Sequence, residues 1–108
     1  LPESCQVAGA ARDNFLLRVV GSPDPYGKQI DGLGNGSSST SKVVILSKFD
    51  VADHDVNYLF GQVAIDKSVI AWLGNCGNLT AAVGSFAIMN RLVEHAKIPE
   101  NGICEVKI

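Results

Sequence analysis

A single cysteine, Cys76, stands between two Gly-Asn steps in Leu73-Gly74-Asn75-Cys76-Gly77-Asn78, and a nearly unbroken apolar run, Leu79-Thr80-Ala81-Ala82-Val83, follows it. A strand that ends at Trp72 and a helix that opens at this turn would set the thiol among the first unsatisfied N–H groups of the helix. Those donors and the positive end of the dipole favour a thiolate. Gly74 and Gly77 let the backbone bend tightly and approach a ligand. Asn75 or Asn78 can cap the helix, and a ligand carboxylate would find the same donors. Spacing alone leaves a second reading open, because cysteine is among the most often buried residue types and is then inert.

Lys42 is the second candidate. It follows Ser39-Thr40-Ser41 and opens the apolar run Val43-Val44-Ile45-Leu46. As a solvated edge residue it does nothing chemical. As a partly desolvated amine it is a base or a carboxylate partner. The segment "GLGNGSSSTSK" is not a phosphate loop, since the Gly-x-x-x-x-Gly-Lys-Ser/Thr pattern is absent and a strand follows where a helix is required. His54 between Asp53 and Asp55 reads as polar turn surface, and no metal site is expected.

The elements that must position these groups follow from pattern. Residues 10–20, "AARDNFLLRVV", place Ala11, Phe15, Leu16 and Val19 on one face of an amphipathic helix, which Gly21-Ser22-Pro23-Asp24-Pro25 stops. Residues 30–41 hold three glycines and five Ser/Thr residues. Because a strand follows at once, the reading is a shaped loop in preference to a linker. Strands are expected at 42–46, 57–65 and 69–72, with Gly61 marking a bulge or a close backbone approach and 50–55 a turn. The pattern predicts one long helix over 78–96, enclosed on every side in its first half and emerging at Asn90, Arg91, Glu94, His95 and Lys97. Pro99 ends it, and residues 103–108 alternate as a half-exposed strand. The class is α+β, with mostly antiparallel strands around a central helix. Three or four strands cannot encircle a helix, so further strands are expected from outside this stretch.

Composition bounds the partners. The 108 residues are 46% hydrophobic and 19% charged with a formal net charge of -2, which suits one soluble domain and gives no reason to expect nucleic acid. The longest apolar stretch falls short of the ~20 residues that cross a bilayer, and residues 1–14 do not read as a secretory signal. Cys5, Cys76 and Cys104 are odd in number and widely spaced, which fits neither a disulfide framework nor a zinc site and favours a reducing, cytoplasmic setting. The sequons at Asn35 and Asn78 would matter only in a secreted chain.

Four blocks in order, "GSPDPYGKQIDGLG", "SSSTSKVVILSK", "DHDVNYLFGQVAID" and "GNCGNLTAAVGSFAI", resemble the PrpF family of 2-methylaconitate cis-trans isomerases, relatives of methylitaconate isomerase and oxalomesaconate tautomerase. The similarity runs from about Asp13 onward. It implies the diaminopimelate-epimerase-like roll, two similar domains with the active site in the cleft between them, and cofactor-independent isomerisation by proton transfer. The family's active-site lysine and cysteine map onto Lys42 and Cys76. Thr40, Ser41, Asn75, Gly77 and Asn78 are then the expected substrate contacts, and the substrate is a small tri- or dicarboxylate. The family often carries Asp-Trp-Ser where this chain has Ala71-Trp72-Leu73, which changes a polar contact near the site. Family proteins are several-fold longer, so residues 1–108 are expected to be part of an N-terminal domain, without the opening Arg-Gly-Gly-Thr-Ser-Lys-Gly motif or the second domain, and inactive alone. The competing expectations are an isomerase of a related dicarboxylate and a non-catalytic, carboxylate-binding or self-associating domain whose open strand edges invite homo-oligomers.

Overall fold

The computed structural model describes residues 1–48, 53–94 and 98–108. A short 3-10 turn at Glu3–Cys5 precedes helix α1 (Ala10–Val20), strands β1 (Lys42–Lys48), β2 (Val56–Val63) and β3 (Ile70–Ala71), and helix α2 (Gly77–Met89). The strands form one sheet in the order β1-β2-β3. β2 and β3 run antiparallel, with Gln62 opposite Ala71 and Val63 opposite Ile70. The α+β class matches the expectation. The chain divides into two compact units, Leu1–Val43 with Phe60–Gly74 and Val44–Leu59 with Asn75–Ile108, with divisions inside β1, inside β2 and between β3 and α2.

In the first unit, α1 has the expected bounds, because Gly21 turns left-handed (φ 94°) and donates its N–H back to Leu17. The buried face differs from the expected one. Arg12, Leu16, Leu17 and Val20 face inward, while Ala11 and Phe15 are exposed. The reason is Trp72: the Arg12 guanidinium lies 4.0 Å from its ring centroid. The indole N–H donates to the Asp13 carboxylate at 3.2 Å, and Asp13 also pairs with Arg12 at 3.3 Å. A charged residue thus takes a core position through cation–π stacking. Gly61 marks a close approach, since a Cβ there would sit 2.8–2.9 Å from Ile70, Trp72 and Val43.

In the second unit, Val56, Val83, Ala87 and Val93 form the core, with Leu46, Tyr58, Leu92 and Val106 packed against it. α2 departs from expectation twice. It stops at Met89, because Arg91 adopts φ 59° and the chain closes with Arg91 N–H donating to Ile88 and Leu92 N–H to Ala87. That pair of bonds is a Schellman closure with arginine where glycine is usual. The helix is also covered on one face only: Val83 and Ala87 are buried, while Ala81, Ala82, Ser85, Phe86 and Met89 are exposed. His95 and Lys97 of the longer expected helix, and residues 50–52 of the expected turn, lie outside the described residues.

Residues 103–108 do not form a strand. Lys107 accepts N–H bonds from Asp55 (2.8 Å) and Val56 (3.2 Å), but its own N–H goes to the Asp55 carboxylate at 2.8 Å. A side chain closes the exchange that a ladder would continue. Among the described residues no helix is long and apolar enough to cross a membrane.

Candidate functional site

The bend before Lys42 is built from the first unit. Asp24 starts it: its carboxylate accepts the N–H groups of Tyr26 (2.9 Å), Lys28 (3.0 Å) and Gln29 (2.7 Å). The Tyr26 N–H is the largest influence holding that carboxyl below its ordinary value of 3.8; partial desolvation opposes it, and the Gln29 and Lys28 N–H groups and the Lys28 charge assist. Gln29, held at φ 49°, turns its side chain inward and is 1% exposed. Its amide nitrogen donates to Ser22 Oγ at 2.8 Å and Ser41 Oγ at 2.9 Å, and its oxygen accepts the Gly36 N–H at 2.9 Å. Gly34 lies against this amide so closely that a Cβ would collide with it. The segment is the shaped loop expected from pattern, and its glycines admit a buried glutamine.

Ser41 is fully buried and tied at every polar atom. Its hydroxyl donates to Val63 O (3.0 Å), its N–H to Ser37 O (2.8 Å), and its carbonyl accepts from Val63 N–H (2.9 Å) and the Gln62 amide (2.9 Å). Thr40 is exposed, with its hydroxyl donating to Gly34 O. Lys42, half-buried, opens β1 from this fixed point.

The Cys76 turn belongs to the second unit. Cys76 is itself the N-cap of α2, with extended backbone (φ -136°, ψ 115°) and 8% exposure, and no side chain caps this end. The expected capping by Asn75 or Asn78 is therefore corrected. Asn75 Oδ1 accepts the Cys76 N–H at 2.7 Å, one step short of the helix, because the side chain folds over its neighbour's peptide. Gly77 and Asn78 occupy the first two helical positions and are exposed. The Cys76 carbonyl accepts the Thr80 hydroxyl at 2.8 Å, and the Tyr58 hydroxyl lies 3.4 Å from the same oxygen. Thr80 and Tyr58 had no sequence signal, since an i, i+4 hydroxyl contact and a strand tyrosine carry no motif. Among the described residues no group of three His, Cys, Asp or Glu side chains could hold a metal ion, and His54 is exposed.

Each half supplies a distinct chemical element. A helix mouth without a capping side chain binds negative charge through its N–H groups, and a thiol on its N-cap is placed in the same field. Lys42 leaves a bend whose last residue, Ser41, is hydrogen-bonded through its backbone and its side chain.

Comparison with known proteins gives consistent matches. The family model described as PrpF protein matches residues 1–108. A 2-methyl-aconitate isomerase of Shewanella oneidensis is 67% identical over all 108 residues, and one of Cupriavidus necator is 64% identical; the chain covers 27% of each. A 3-methylitaconate isomerase of Eubacterium barkeri is 43% identical over 86% of the chain and 24% of that protein. The crystal structure of a methylitaconate-delta-isomerase superposes with a TM-score of 0.70 at 46% identity, over 77% of this chain and 21% of that one. The chain thus spans about a quarter of the length of the curated relatives it matches.

Proposed function

The chain belongs to the PrpF family, and from that premise we propose that it forms part of the N-terminal domain of an isomerase that moves an allylic proton on an unsaturated tricarboxylate of the 2-methylaconitate kind. The observation that carries this reading is Cys76 on the N-cap of α2, at a helix end that no side chain caps. Proton transfer at an allylic carbon needs an acid–base pair suited to the working pH. It also needs donors for the carboxylate that gains charge in the dienolate-like state. Lys42 and Cys76 supply the pair: one removes the proton from the allylic carbon, and the electron pair left behind spreads into the adjacent unsaturated carboxylate. Return of a proton to the conjugated system completes the isomerisation, so no redox cofactor is required. The amides at Asn75, Gly77 and Asn78 receive the carboxylate, with Thr40 beside Lys42; Ser41, fully buried with its polar atoms already paired, holds the bend in place of the substrate contact expected of it. The roll of the wider fold and a cytoplasmic setting, with Cys5, Cys76 and Cys104 in the thiol form, belong to the same proposal.

The test uses the full-length protein from which the stretch comes, assayed with 2-methylaconitate, methylitaconate and oxalomesaconate. Turnover of the tricarboxylate, cut by ~10²–10⁴-fold in Cys76→Ala and in Lys42→Met, is expected. Near-normal rates in either variant remove that residue from the mechanism.

A further inference from the structure

We propose that Gln29 is a positioning residue for the Lys42 amine, acting through Ser41; the inference rests on the role given to Lys42 above. A primary amide with 1% exposure between two serine hydroxyls is costly to bury unless every polar atom is used, and here all are used. Its nitrogen spans two places in the chain, Ser22 beyond α1 and Ser41 before β1. The Ser41 hydroxyl passes the constraint to Val63 of β2, and the Ser41 peptide is bonded on both sides. Lys42 departs from the next Cα, so the direction in which its chain leaves is set by this knot. Gln29 itself is kept in its left-handed conformation by the Asp24 carboxylate, which accepts its N–H at 2.7 Å. Positioning of this kind acts on the chemical step, because a small displacement of a proton-transfer group costs rate without weakening binding.

Ser22 and Ser41 provide an internal control, since each accepts one N–H of the same amide at nearly equal distance (2.8 and 2.9 Å), yet only Ser41 adjoins Lys42. In the full-length enzyme, Ser41→Ala is expected to lower kcat ~10-fold or more with KM nearly unchanged. Ser22→Ala, which removes one buried hydrogen bond where Ser41→Ala removes two, should keep kcat within about twofold while losing part of the same thermal stability. Gln29→Met should reproduce the kcat loss of Ser41→Ala, and the double variant should be no slower than either single. Equal kcat losses in Ser22→Ala and Ser41→Ala, following only their loss of stability, would overturn the inference. So would wild-type kcat in Ser41→Ala beside an inactive Lys42→Met. Full turnover by Lys42→Met would instead overturn the reading of the lysine and take the inference with it.

Discussion

A carboxylate in a turn can do the work of several backbone bonds, and Asp24 does so by gathering three N–H groups. Its lowered pKa has a definite sign: stability from these bonds is complete above the ordinary carboxylate value of 3.8 and is lost as pH falls through the lower value of the folded chain. Asp24→Asn should therefore be less stable than wild type in urea titrations at pH 7, and the difference should shrink towards pH 3. An equal difference at both pH values would show that the charge is irrelevant. Gln29 was illegible in the sequence because a glutamine beside Lys28 reads as solvated surface, and its burial depends on Gly34, whose missing side chain leaves room for the amide. Cys76 was legible as a candidate because its flanking Gly-Asn steps are unusual. That Asn75 would fold onto the Cys76 peptide was not, since an asparagine beside a helix start can accept from several N–H groups.

The elements were legible where glycine or proline punctuates them. α1 ends where Gly21 turns left-handed, and residues 42, 56 and 70 begin strands within a residue or two of where pattern put them. α2 was overrun because its closing left-handed residue is Arg91, which carries no stop signal. Left-handed backbone costs a non-glycine residue about 1–2 kcal/mol. Arg91→Gly relieves that strain but loosens the unfolded chain, so a net gain of about 0.5–1 kcal/mol is expected in chemical denaturation. A loss of stability would mean that the exposed arginine side chain contributes more than its backbone costs. The inward turn of Arg12 was hidden for another reason: helical periodicity scores charge as outward, and only the ring of Trp72, 60 residues away in sequence (72 − 12), reverses it. The terminal alternation at 103–108 matched a strand pattern, but the Asp55 carboxylate takes the N–H that a neighbouring strand would need.

For the molecule as a whole, class and family were readable because four blocks share one order, which no single motif supplies. The enclosed helix was not realised in these 108 residues, where Phe86 is 50% exposed and Met89 81%. Length explains why the reading of that helix stays with the whole protein: the chain covers 27% of its 2-methyl-aconitate isomerase relatives. On the function proposed above, Cys76 takes part in carrying the proton in the full-length protein. The most direct measurement follows isomerisation of 2-methylaconitate in deuterium oxide by proton NMR, comparing wild type with Cys76→Ala. Wild type should form product with deuterium at the reacting carbon, and the variant should form no product on the same timescale. Product formed by Cys76→Ala at the wild-type rate, labelled or not, would contradict the account.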